Sequence, residues 1–228
     1  MTKHQPKFTL YYFHDPMCSW CWGFQPAWLS LQQNLPNNIS VKYVLGGLAP
    51  DSNEAMAEEL RAIIKNTWQQ IHQELGTEFN FDFWAKNTPR RSTYPACRAV
   101  IAAHQQGKEM EMITAIQKAY YLRALNPSDV GILQGIAKEI ELDETDFNRT
   151  LTSEQTEKIL EEQVVKAKHW RVPGYPSLVI ERTLSHSEKH ENTLANLSHI
   201  PVNYHQHTKM LMHINLAVSK FSGLNEKS

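Results

Sequence analysis

The chain has 228 residues, of which 41% are apolar and 21% charged, and a formal net charge of −1. That balance reads as a soluble globular protein with room for a buried core; it excludes a disordered chain and gives no basis for nucleic acid or an anionic membrane as partner. Three cysteines are too few, and of the wrong parity, for a disulfide framework, so catalysis or metal binding is expected of them.

Residues 1–7 are polar, and the apolar run behind them is cut by Asp15. A signal peptide needs an apolar region of about 7 to 15 residues with small residues after it, and a membrane span roughly 20, so a cytoplasmic protein is expected. Residues 8–13 are aromatic and β-branched, the pattern of a strand covered on both faces. After the Asp15-Pro16 breaker, residues 18–35 place Trp20, Phe24, Trp28 and Leu31 at helical spacing, with Pro26 removing one backbone donor inside. Residues 39–45 alternate as a second strand and stop at Gly46-Gly47.

From residue 51 to 171 the period becomes helical and no strand pattern intervenes, which predicts a helical insertion into a sheet just begun. Asp51, Asn126 and Asp143 are the expected N-caps. Val130, Leu133, Ala137 and Ile140 form one apolar stripe, and Leu160, Val164 and Ala167 another. Strand character returns at 177–181, behind the turn Val172-Pro173-Gly174-Tyr175-Pro176. A further strand is expected at 200–204, a connection without clear period at 183–199, and a helix at 210–221 with Leu211, Ile214, Val218 and Phe221 on one face.

Cys18 and Cys21 sit at the start of the first helix with two residues between them. A thiolate there faces unpaired backbone N–H groups and the positive end of the helix dipole, which favours the charged sulfur. The spacing brings Cys21 within one turn, close enough to close a disulfide or resolve a mixed one. On this reading Cys18 is exposed and nucleophilic and Cys21 more buried. A structural zinc site would need four ligands; the chain has no second cysteine pair, and His14 is the nearest candidate beside this one. His14 otherwise reads as a polar strand end or as a group tuning the Cys18 thiolate. Cys97, with Val100 and Ile101, reads as a buried small hydrophobe, Ser92, Tyr94 and Arg98 as residues facing a cleft, and the late histidines, His186, His190, His199, His205, His207 and His213, as surface groups.

The segment Phe13-His14-Asp15-Pro16-Met17-Cys18-Ser19-Trp20-Cys21-Trp22-Gly23 resembles the active-site segment of the DsbA-like superfamily, and most of all its cytoplasmic FrnE-like branch. Val172-Pro173-Gly174-Tyr175-Pro176-Ser177 resembles that family's cis-proline loop, and the likeness runs over residues 8–181. It implies an α/β thioredoxin-like fold with a large inserted all-helical domain: a core of residues 1–50 and 172–228, and an insertion of 51–171. It implies thiol:disulfide exchange with Cys18 as nucleophile, Cys21 as resolving thiol and a cis peptide at Tyr175-Pro176 that presents backbone to an extended substrate. Ser19, Trp20, Tyr175 and His14 are then the expected substrate contacts. Protein or peptide thiols and disulfides, with glutathione, are the expected partners, and no cofactor or metal is called for. The chain departs from DsbA in having Ser19 and Trp20, and no histidine, between its cysteines, and it carries a bulky Tyr175 before the proline.

Two other classes stay open on the residues alone. A glutathione-dependent isomerase or transferase of the kappa or hydroxychromene-carboxylate isomerase type resembles this architecture but does not need Cys21. A chaperone-like or zinc-binding module would use the aromatic residues and leave the cysteines without redox work.

Overall fold

The computed structural model describes residues 8–183 and 193–223. Four strands form one sheet: β1 (Phe8–His14), β2 (Ile39–Leu45), β3 (Ser177–Arg182) and β4 (Leu197–Ile200), in the order β2-β1-β3-β4. β3 runs antiparallel to β1, with Phe8 opposite Arg182 and Phe13 opposite Ser177, and β4 antiparallel to β3. Helix α1 (Ser19–Gln33) follows β1; α2 (Glu58–Leu75), α3 (Phe83–Lys86), α4 (Tyr94–Gln105), α5 (Glu109–Tyr121), α6 (Val130–Glu139), α7 (Glu144–Leu151) and α8 (Glu154–His169) lie between β2 and β3; α9 (His207–Gly223) ends the described chain.

The chain divides into two compact units, one of residues 1–14, 24–44 and 167–228, the other of residues 15–23 and 45–166. The divisions fall at the end of β1, within α1, at the end of β2 and in the last turn of α8, so the cysteine pair belongs with the helices.

In the sheet unit the period-2 alternation of β1 sorts its side chains onto two cores. Phe8, Leu10 and Tyr12 join Leu178 and Ile180 against Phe24, Trp28 and Leu31 of α1 and Met210, Ile214, Ala217 and Phe221 of α9. Tyr11, Phe13 and Val179 face the other way, onto Ala167 and Trp170. All seven β1 residues are buried, the outcome expected of an uninterrupted apolar run. α9 begins earlier than residue 210 and turns Met210 and Ala217 inward, leaving Leu211 and Val218 only partly covered. The strand expected at 200–204 lies instead at Leu197–Ile200: Pro201 has no N–H for a ladder, so pairing ends before it. A 3-10 turn, Thr193–Asn196, leads into it. The rest of the expected connection, with His186 and His190, lies outside the described residues, while His199 has its Nε2 bonded to the Trp170 carbonyl at 3.0 Å.

In the helical unit one of the three expected caps holds. The Asp143 carboxylate accepts the Asp146 N–H at 2.7 Å and starts α7. Asp51 caps nothing, because both its carboxylate oxygens bind the Arg98 guanidinium at 2.7 Å, and α2 starts at Glu58. Asn126 turns its side chain onto the Ser128 N–H at 3.2 Å, and α6 starts at Val130. Leu133 and Ala137 are buried as expected, but Val130 in the first turn of α6 stays exposed. Leu160, Val164 and Ala167 of α8 are buried. No helix of the described residues is long and apolar enough to cross a membrane.

Candidate active site

β1 ends at His14, and the chain folds back at once: the Cys18 N–H bonds the Asp15 carbonyl at 3.0 Å, and the Trp22 N–H makes the first turn of α1 with the Cys18 carbonyl at 3.0 Å. Cys18 therefore occupies the N-cap position, and its Sγ accepts the Cys21 N–H at 3.3 Å. The sulfur does there what a serine or aspartate oxygen does in an ordinary cap, satisfying a donor the helix leaves open. The sulfur thus sits at the N-terminal end of the α1 dipole.

Cys18, Cys21 and Cys97 are all present as thiols. Cys18 is 5% exposed, against the expectation of an exposed sulfur, and Cys21 is 1% exposed; the turn at Asp15 draws Cys18 inward along with Met17. Burial, followed by the hydrogen bond and charge of Cys18, pushes the Cys21 thiol well above its ordinary range. Cys97 is raised likewise, by burial and then by the Asp15 charge. Both remain protonated at neutral pH.

Asp15, which its sequence context marks only as a breaker, is the centre of this site. It is 0% exposed, and its carboxylate accepts the Met17 N–H at 2.8 Å, the Leu48 N–H at 2.8 Å, the Thr93 hydroxyl at 2.7 Å and the Cys97 thiol at 3.6 Å. Burial pushes its carboxyl above the usual range, and these donors act against that push. The Asp15 backbone N–H also steadies the Cys21 sulfur. Thr93 in turn accepts the Ala49 N–H at 3.1 Å, which ties the loop after β2 to the start of α4. Gly47 in that loop has φ +58°, and a Cβ there would lie 2.7 Å from Tyr94 Cε1 and 2.9 Å from Val164 Cγ2, so glycine is required on both counts.

Aromatic side chains of α2 and α5 hold the first turn of α1. Trp68 Nε1 donates to the Ser19 hydroxyl at 2.9 Å. Trp22 Nε1 donates to the Glu78 carbonyl at 3.0 Å, and its ring stacks on Tyr121 with centroids 5.6 Å apart. Gly23 admits α2 so closely that a Cβ would come 2.9 Å from Ile71 Cγ2.

Of the expected site residues, Cys18, Ser19, Trp20 and Cys21 lie together in the helical unit, with Ser19 and Trp20 half-buried. His14, Tyr175 and Pro176 belong to the sheet unit. The Tyr175–Pro176 peptide bond is cis, and Tyr175 packs on the Tyr11, Phe13 and Val179 side of the sheet.

His14 is 1% exposed and has no hydrogen-bond partner on either ring nitrogen among the described residues. It stacks on Tyr12 and meets Tyr43 edge-on, at centroid distances of 5.0 and 5.6 Å. So covered, it offers a substrate no surface, and burial lowers its pKa to about 3, so it is neutral at pH 7. Because the unfolded chain binds a proton there at about 6.5, this histidine favours the fold above that pH, and the benefit drains away as pH falls towards 3, by about 1.4 kcal/mol per unit. His14→Phe is expected to flatten the loss of urea stability between pH 6.5 and 4; an unchanged slope would refute this.

Ser92, Tyr94 and Arg98 do not gather at the cysteines. The Ser92 carbonyl accepts the Ser128 hydroxyl at 2.7 Å, Tyr94 packs over Gly47, and Arg98 pairs with Asp51 and Glu157. Thr93, between them, is the residue that reaches Asp15. Among the described residues no group of three His, Cys, Asp or Glu side chains is arranged to hold a metal ion.

A family model described as Thioredoxin matches residues 11–203. Among curated proteins, the ClpXP adapter protein SpxH of Bacillus subtilis is 25% identical over 182 residues, 78% of this chain and 60% of that protein. SpxH of Halalkalibacterium halodurans is 24% identical over the same shares. The chain thus spans about 60% of the length of these curated relatives. Among solved structures, a candidate protein disulfide isomerase from Nitrosomonas europaea superposes with a TM-score of 0.78 at 26% identity, covering 94% of this chain and 98% of that one. The cytosolic disulfide reductase DsbM of Pseudomonas aeruginosa, with GSH, gives 0.71 at 19% identity, covering 92% and 99%; that likeness is one of fold. A sheet interrupted by helices between β2 and β3, a cysteine pair opening α1 and a family model running through both place the chain in the thioredoxin family, with a DsbA-like arrangement of the fold.

Proposed function

We propose that this protein is a thiol:disulfide oxidoreductase in which Cys18 is the nucleophile and Cys21 the resolving thiol. The observation that carries the reading is the division of labour in one helical turn: the Cys18 sulfur caps α1 and accepts the Cys21 N–H, while burial holds Cys21 as a thiol. The Cys18 thiolate attacks one sulfur of a substrate disulfide, a new S–S bond forms, and the released substrate thiolate takes a proton from water. Cys21 then gives up its proton to water and attacks Cys18, which expels the second substrate thiol and leaves a Cys18–Cys21 disulfide. Two electrons pass from protein to substrate, and an external thiol such as glutathione restores the pair; run backwards, the same steps oxidise a substrate dithiol.

Protein or peptide disulfides are the substrate class. Their extended backbone pairs with the Tyr175–Pro176 loop, a role supported by the resemblance of residues 172–177 to the cis-proline loop of DsbA-like proteins. Ser19 and Trp20, half-buried at the helix start, flank the incoming sulfur. The cytosolic setting of DsbM supports the same setting here, where reduction or isomerisation is the favoured direction.

Cys18→Ser is expected to abolish reduction of insulin disulfides by glutathione, with fold retained by circular dichroism. Activity unchanged in that variant would overturn the proposal. The SpxH relatives support a second reading, in which the chain is an adapter that needs no redox pair. It requires that a Cys18→Ser, Cys21→Ser double variant still deliver a bound partner to the ClpXP protease.

A further inference from the structure

Tyr121 is fully buried, and its hydroxyl meets no hydrogen-bond partner among the described residues. A buried hydroxyl left in this state is destabilising, and phenylalanine would fill the same space without that cost. The ring itself is tightly fixed. Trp22 stacks on it at 5.6 Å with planes 12° apart, and Trp68 meets it edge-on at 5.3 Å. Both tryptophans are bound to the cysteine turn, Trp22 as the residue after Cys21 and Trp68 through its bond to the Ser19 hydroxyl. The phenol ring is thereby held beside the turn that carries Cys18 and Cys21, between the tryptophan that follows Cys21 and the one that binds Ser19.

No cation lies between the two cysteines in sequence, since Ser19 and Trp20 occupy those positions. A thiolate is a large anion that accepts several donors, and the Cys21 N–H supplies one of them. We propose that the Tyr121 hydroxyl is a further donor, held in reserve for the Cys18 sulfur when it carries charge and for the sulfur that replaces it as leaving group. This rests on the dithiol-exchange reading and names a catalytic residue for it. Burial keeps the phenol protonated throughout the working range, so it remains a donor at every step.

The test is Tyr121→Phe, read by the pH profile of Cys18 alkylation with iodoacetamide, located by peptide mass, and by thermal unfolding. The profile should move up by about one pH unit, so that on its acid limb alkylation at a given pH is about tenfold slower. The melting temperature should hold or rise. Tyr120→Phe, which removes the neighbouring phenol, should leave the profile in place. An unmoved profile in Tyr121→Phe, or an equal shift in both variants, would overturn the inference. Alkylation needs no turnover, so this result stands apart from that of Cys18→Ser: loss of exchange in the serine variant beside an unmoved Tyr121→Phe profile would sink only the role of Tyr121.

Discussion

Asp15→Ala should be among the most destabilising single substitutions in the helical unit. It strands the Met17 and Leu48 N–H groups in a site closed to water, while Thr93 alone can turn its hydroxyl to the Ala49 carbonyl, 3.4 Å away. At about 1–3 kcal/mol for each buried donor left unpaired, and with some return from no longer burying a carboxylate, a net loss of about 3 kcal/mol is expected. Asp15→Asn keeps one acceptor oxygen and should cost less. Urea titrations of the two variants settle the order. The pH dependence is opposite in sign to that of His14: a carboxyl raised in the folded state makes folding less favourable as pH climbs from about 3.8 to its folded pKa. A loss below about 1 kcal/mol for the alanine variant would mean that the four bonds to Asp15 do not hold the turn.

The second large effect is kinetic. Cys21→Ser should react once with a disulfide substrate and stop, because the mixed disulfide at Cys18 has no resolving thiol within the turn; about one substrate thiol should remain attached per chain. The trapped species should be visible by intact mass and released by dithiothreitol. Cys97 cannot stand in for the missing thiol: it is 0% exposed, bonded to Asp15 and held protonated by burial. A glutathione transferase or isomerase, which has no use for a resolving cysteine, would instead keep turning over with Cys21 replaced.

The parts of this molecule legible in its sequence are those specified by near neighbours. The apolar run at 8–13 and the alternation at 39–45 give β1 and β2, and the pair Cys18 and Cys21 behind Asp15-Pro16 gives the cysteine turn that opens α1. Asp143 gives a cap because its partner is only three residues on. What stayed hidden depends on partners far along the chain. Asp15 reads as a breaker until Leu48, Thr93 and Cys97 close over it. Trp68 and Tyr121 look like any core aromatics on amphipathic helices, and no local pattern tells that one grips Ser19 and the other keeps a hydroxyl unpaired among the described residues. Asp51 and Asn126 mislead for the same reason: an acid or amide before a helical pattern is a cap only if a distant arginine or a nearer turn does not claim it. The burial of Cys18 belongs here too, since a helix start predicts its electrostatics but not what covers it.

The most direct test of dithiol exchange is to incubate the reduced protein with excess glutathione disulfide, quench in acid, alkylate and map the three cysteines by mass. A Cys18–Cys21 disulfide with about two glutathione thiols released per chain, and Cys97 still a thiol, is the expected result. Oxidation that leaves Cys18 untouched, or that links it to Cys97, would contradict the account.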